Sequence, residues 1–125
     1  MSIFANLSPL DHRYQASDPE LWRELSSILS EEGYIRYQMQ VESALVQALE
    51  DRGICPAGAA AQVKAACGRI TPEDVRREEE KTRHNIRALV NCIQREVDES
   101  VRPFIHLSAT SADIMDTARA LQLRE

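Results

Sequence analysis

The stretch Phe104-Ile105-His106-Leu107-Ser108-Ala109-Thr110-Ser111-Ala112-Asp113 is dense in hydroxyl groups and runs directly into a helical pattern. At a helix start, Thr110 and Ser111 are joined by unpaired backbone N–H groups and by the positive end of the helix dipole. That chemistry suits a carboxylate or a phosphate. A plainer reading makes Thr110 only a cap, with Asp113 three residues on as the acid of a capping box. His84 follows Thr82-Arg83 and precedes Ile86 by two positions. At about 100° per residue it stands about 200° from the apolar stripe that Ile86 begins, so it is not a core histidine of that helix. It is either a solvated histidine at a helix start or part of a surface completed by other parts of a larger protein. His106, beside Phe104 and Ile105, reads as a hydrogen-bonded structural histidine or as part of the same site. Arg13-Tyr14, after the Pro9-Leu10-Asp11 turn, offers a forked anion contact with a hydroxyl beside it, or merely a solvated turn. The Arg/Glu run over 76–83 reads as a solvated helix face. Within it Arg77 and Lys81 repel while Glu79 and Arg83 attract.

These residues need elements to hold them, and the pattern is helical nearly throughout. Residues 1–17 look irregular. Asp18-Pro19 is a cap followed by proline at the first helical position, opening a short helix through Trp22, Leu25, Ile28 and Leu29. A longer helix is predicted from about Ser30 to Arg52, with Tyr34, Tyr37, Val41, Leu45 and Leu49 at three- and four-residue steps and Gly53 as its stop. Residues 57–67 are alanine-rich and predict a short, tightly packed helix before Gly68. Thr71-Pro72-Glu73-Asp74 is another start. The strongest periodicity, Ile86, Leu89, Val90, Ile93 and Val97, falls in one narrow stripe, and Arg102-Pro103 is expected to end that helix. The last helical pattern carries Ile114, Ala118 and Leu121 and still propagates at Leu123-Arg124-Glu125, as in a piece of a longer chain. No stretch alternates convincingly as a strand, so the expected class is all-α.

Composition narrows the function. The 125 residues carry 15 Lys+Arg against 20 Asp+Glu, a formal charge of −5. This acidic balance argues against a nucleic-acid partner bound through phosphates. No apolar run approaches the roughly 18 residues of a membrane span. The start, MSIFANLSPLDHRY, lacks a basic segment followed by an apolar one, so a cytoplasmic protein without membrane attachment is expected. Cys55, Cys67 and Cys92 are odd in number and form no C-x-x-C pair, which indicates neither a disulfide framework nor a zinc knuckle. Cys67 and Cys92 read as small apolar residues. His12, His84 and His106 share no i, i+4 spacing, and no metal site is expected.

Taken together, SPLDHRY at 8–14, TRHNIRALV at 82–90 and HLSATSADIMDTARALQL at 106–123 resemble the N-terminal part of the adenylosuccinate lyase family, in the fumarase/aspartase superfamily. The stretch IRYQMQVESALVQAL at 35–49 sits where that family has a helix with a V-E-x-A-L pattern. The third motif is the most specific: His-x-x-x-Thr-Ser-x-Asp-Ile leading into Asp-Thr-Ala recurs across the family. Arg13-Tyr14 tilts the match toward adenylosuccinate lyase over argininosuccinate lyase or the cycloisomerase relatives. One departure stands out. The family's second motif usually reads His-Asp-Val, and here it is His84-Asn85-Ile86, which keeps the size and an oxygen but loses the charge.

The resemblance implies a small helical N-terminal domain over residues 1–110 and the start of a central helical bundle over 111–125. It implies β-elimination of fumarate from adenylosuccinate, leaving AMP, and the parallel step on the succinylated aminoimidazole-carboxamide ribotide. No cofactor is implied. By the same resemblance Arg13 and Tyr14 hold the nucleotide phosphate, while Arg83, His84 and Asn85 line the site near the nucleotide and carboxylates. Thr110 and Ser111 hold a succinyl carboxylate, with His106 supporting that pocket. The family's base is a serine on a glycine-rich loop and its acid a histidine. No Gly-Ser-Ser-x-Met-Pro loop occurs in these 125 residues, so the chain alone is expected to be inactive. The whole enzyme is expected to be a homotetramer with shared sites acting on a small nucleotide. The competing readings are another lyase or cycloisomerase of the superfamily, and a helical interaction module with no substrate.

Overall fold

The computed structural model describes residues 2–8 and 11–125, so Pro9 and Leu10 of the first motif lie outside the described residues. Among the described residues seven α-helices follow one another: α1 (Asp11–Tyr14), α2 (Pro19–Leu29), α3 (Glu31–Asp51), α4 (Ala59–Cys67), α5 (Pro72–Thr82), α6 (Asn85–Arg95) and α7 (Ser111–Arg124). No strand occurs among the described residues, which makes the class all-α.

The long helix α3 is the axis, and α2, α4, α5 and α7 all pack on it. Its start is set by Ser30, whose hydroxyl accepts the Gly33 N–H at 3.1 Å while its own N–H closes α2. Gly33 permits this corner. A Cβ there would stand 2.6 Å from the Ile28 carbonyl oxygen and 2.8 Å from that of Ser27, distances no side-chain carbon tolerates. At its far end Gly53 takes φ +68, with Gly53 N–H bonded to the Glu50 carbonyl and Ile54 N–H to that of Leu49. This is the paired closure that needs a left-handed residue just past a helix.

The alanines of α4 let it approach closely, with Ala59, Ala60, Val63 and Ala66 all buried. Thr71 caps α5 reciprocally: its hydroxyl accepts the Asp74 N–H and Asp74 accepts the Thr71 N–H. Ile86, Leu89 and Ile93 of α6 and Ile114 of α7 are fully buried, each stabilising by about 1.5–3 kcal/mol relative to exposure. α7 is fastened to the first half of the chain: Tyr34 Oη donates to the Met115 carbonyl at 3.3 Å, and Gln122 Nε2 to that of Ile28 at 2.6 Å.

Several expectations need correction. α6 ends at Arg95, well before Arg102-Pro103, because side chains of the α4 region take over from the helical ladder. Gln62 accepts the Asp98 N–H at 3.0 Å and donates to its carboxylate at 2.8 Å, while Arg69 holds Glu96 at 2.9 Å. Residues 1–17 contain two short helical pieces, a 3-10 turn over Ile3–Ala5 and α1, whose Asp11 accepts the Leu7 and Ser8 N–H groups. In α3 the buried line is Ile35, Met39, Glu42 and Val46, whereas Val41, Leu45 and Leu49 are half-buried. Leu25 and Leu29 of α2 are exposed. The charged run of α5 is not wholly solvated, since Glu78 is only 5% exposed. Arg77 pairs with Asp74, and Lys81 with Glu78.

Candidate functional site

The loop before α7 is built around His106. Its backbone takes φ +64, and Ser108 follows at φ +65, a left-handed path uncommon for residues with side chains. The imidazole Nδ1 lies 2.7 Å from Glu42 Oε1 on α3. Glu42 has no exposed surface, and its other oxygen, Oε2, has no hydrogen-bond partner. Burial pushes the Glu42 carboxyl up; the neighbouring His106 and then Arg87 pull the other way without cancelling that rise. Cys67 nearby is pushed up to about 11, by burial first and by the Glu42 charge second, so its thiol is a poor nucleophile at neutral pH.

The start of α6 adjoins this pair. His84 is its cap, with Nδ1 accepting the Arg87 N–H at 3.1 Å. Thr82 Oγ1 accepts the His84 N–H at 3.3 Å and donates to the His84 carbonyl at 3.0 Å, while Arg83 turns the chain at φ +55. His84 is exposed, as its angular position off the apolar stripe required. Arg87 therefore links two candidates: its amide is capped by His84 and its charge acts on Glu42, the partner of His106.

Asn85 reaches α7, its Nδ2 donating to Met115 Sδ at 3.5 Å. It also lines a cleft of about 400 Å³ with Tyr34, Gln38, Arg76 and Arg119. There the Arg119 guanidinium lies 3.6 Å from the centre of the Tyr34 ring. At the start of α7 the Asp113 carboxylate accepts the Thr110 N–H at 2.9 Å, so the acid of a capping box is in place. The N–H groups of Ser111 and Ala112 have no acceptor within their helix and remain open to an anion.

The His84 cap on Arg87 and the Arg87 charge on Glu42 relate His84 to His106, while Asn85 separately reaches Met115, one turn after Ser111. Arg13 and Tyr14 are exposed on α1, and among the described residues no hydrogen bond or ion pair joins them to the others. Among the described residues no cluster of three or more His, Cys, Asp or Glu could hold a metal ion. No helix among them is long and apolar enough to cross a membrane. Sequence reasoning missed Glu42 and Arg87. Glu42 could have been found, since it stands seven residues after Ile35 and four before Val46, on the same face of α3 as both.

No protein-family model matches the chain. It is 38% identical over 117 residues to an adenylosuccinate lyase of Archaeoglobus fulgidus, covering 94% of this chain and 24% of that enzyme. It is 31% identical over 104 residues to an N-acetyl-S-(2-succino)cysteine lyase of Dickeya dadantii, covering 82% of this chain and 23% of that one. Its fold matches a fumarate lyase from Mesorhizobium sp. BNC1 with a TM-score of 0.69 and 33% identity, over 81% of this chain and 24% of that one. The chain spans about a quarter of the length of the curated relatives it matches. By sequence along nearly its whole length and by fold, the chain is similar to a segment of adenylosuccinate lyases and of a fumarate lyase.

Proposed function

We propose that this chain is the substrate-binding segment of a lyase that releases fumarate from a succinyl-substituted nucleotide, with adenylosuccinate as its substrate. The observation that carries the reading is the convergence of His84, Asn85 and His106 beside the start of α7. Two segments far apart in sequence approach each other there, His84-Asn85 and His106, through the Arg87 charge on Glu42, while Asn85 reaches Met115 of α7. The substrate carries a phosphate and two carboxylates while the chain is acidic. Binding then depends on placed donors, not on a net positive field. Ser111 and Ala112 offer N–H groups to one succinyl carboxylate, with His106 beside them; His84 and Arg83 face the nucleotide. Arg13 and Tyr14 take the phosphate in a site shared between subunits of a tetramer, which accounts for their separation from the rest in a single chain. In this scheme α7 is the first helix of the central bundle.

Elimination needs a base to take the proton beside a carboxylate and an acid for the departing nitrogen. The residues assembled in this chain bind and orient; the serine loop and acid histidine are supplied from outside these 125 residues. The Dickeya dadantii relative favours a second reading, in which the succinyl group is retained and the nucleotide is replaced by a smaller thiol compound. Fumarate release, followed by its ultraviolet absorbance, separates the two. The full-length lyase is expected to cleave adenylosuccinate, and the 125-residue chain is expected not to. Turnover by the chain alone, or cleavage only of succinyl thioethers by the whole enzyme, would overturn the nucleotide reading.

A further inference from the structure

We propose that Glu42 is a positioning residue: its buried carboxylate accepts the Nδ1–H of His106, fixing the ring's tautomer and leaving Nε2 as the one ring nitrogen available to a ligand. The inference rests on the proposed binding role of His106, but it concerns which atom of that residue acts. Glu42 is an odd occupant of the α3 core. It lies on the line of Ile35, Met39 and Val46, where an apolar side chain of similar size would pack without desolvating a carboxyl group. Among the described residues His106 is the one that hydrogen-bonds it, with Nδ1 at 2.7 Å from Oε1, and Oε2 has no partner. An acid kept there at such a cost is not explained by packing.

His106 supplies the second observation. Its main chain is held at φ +64, its side chain retains 13% exposure, and Nδ1 is the ring nitrogen engaged by protein. An ionised carboxylate only accepts, so the hydrogen must sit on Nδ1 and the lone pair on Nε2 when the ring is neutral. The charged and titratable groups acting on Glu42 are His106 from the loop before α7 and Arg87 from α6, and the Glu42 charge in turn raises the thiol of Cys67 on α4. Arg87 and His106 favour the carboxylate and burial opposes it. The competing arrangement is a protonated Glu42 donating to Nδ1, which would place the ring hydrogen on Nε2 and reverse what a ligand meets.

Long-range proton–nitrogen NMR of the imidazole groups distinguishes these states in the 125-residue chain without substrate. The expected wild-type spectrum shows His106 with a protonated Nδ1 and a bare Nε2. In Glu42→Gln the amide can donate or accept, and the two nitrogen signals should move toward an averaged, mixed tautomer. Glu42→Asp, which keeps a carboxylate, should restore part of the separation. A wild-type ring protonated on Nε2 overturns the proposal, as does a Glu42→Gln spectrum identical to wild type. If Glu42→Gln does not fold, the wild-type spectrum and Glu42→Asp still decide. The readout is indifferent to the substrate, so a failure of the nucleotide reading shows only in the fumarate assay and a failure of this proposal only in the ring spectrum.

Discussion

Two glutamates are buried in this small helical body, and they are treated in opposite ways. Glu78 of α5 is fully engaged: Arg95 lies 2.5 Å and Lys81 3.5 Å from Oε2, and Asn91 donates to Oε1 at 2.9 Å. Its pKa falls to about 2, by the Arg95 hydrogen bond first and the Asn91 bond second, against burial. Glu42 of α3 is more deeply buried, has one partner, keeps one orphan oxygen, and is shifted upward. The α5–α6 clamp is a complete structural network. The Glu42–His106 pair is incomplete in a way that structure alone does not reward, and it leads to the residues proposed to meet substrate.

The largest test of this contrast removes a partner. His106→Ala would leave Glu42 buried and alone, and is expected to cost about 3–5 kcal/mol in urea unfolding at neutral pH. Arg95→Met should cost less, since Asn91 and Lys81 still serve Glu78. Equal losses would erase the distinction between the two acids.

Acid dependence sharpens it further, because the signs differ. The folded pKa of Glu78 lies below its ordinary 4.5. Its contribution is complete above about pH 4.5 and is lost as pH falls toward 2. The folded pKa of Glu42 lies above its ordinary 4.5. Its contribution is complete below that value and is lost as pH rises through the folded pKa. Thermal unfolding against pH should therefore lose its acid limb in Glu78→Gln and flatten above pH 4.5 in Glu42→Gln. The smallest expected effect is at the start of α7. Asp113→Ala removes the cap contact to Thr110 and should cost about 1 kcal/mol in the same unfolding experiment.

The helical layout was largely legible, because caps and stops are local chemistry. Asp18-Pro19, Ser30, Gly53, Thr71 and Thr110 all mark boundaries where they stand. The end of α6 was not legible. It depends on Gln62 and Arg69, which lie more than two dozen residues earlier and act through space. For the same reason the candidate site was half visible. His84, Asn85, His106, Thr110 and Ser111 stand in recognisable motifs, while Glu42 hides inside an ordinary amphipathic helix until its angle to Ile35 and Val46 is taken into account. The clamp on Glu78 was hidden too, since a run of arginines and glutamates looks solvated until α6 closes over one of them.

The most direct test is fumarate release from adenylosuccinate by the full-length lyase carrying Glu42→Gln or Glu78→Gln. Wild type should release fumarate. Glu42→Gln should lose about tenfold to hundredfold in kcat/KM, as misorientation of a site group does. Glu78→Gln should keep its activity and lose only stability above about pH 4.5. Equal activity in the two variants, or no fumarate from wild type, would contradict the assignment of Glu42 and His106 to the binding site.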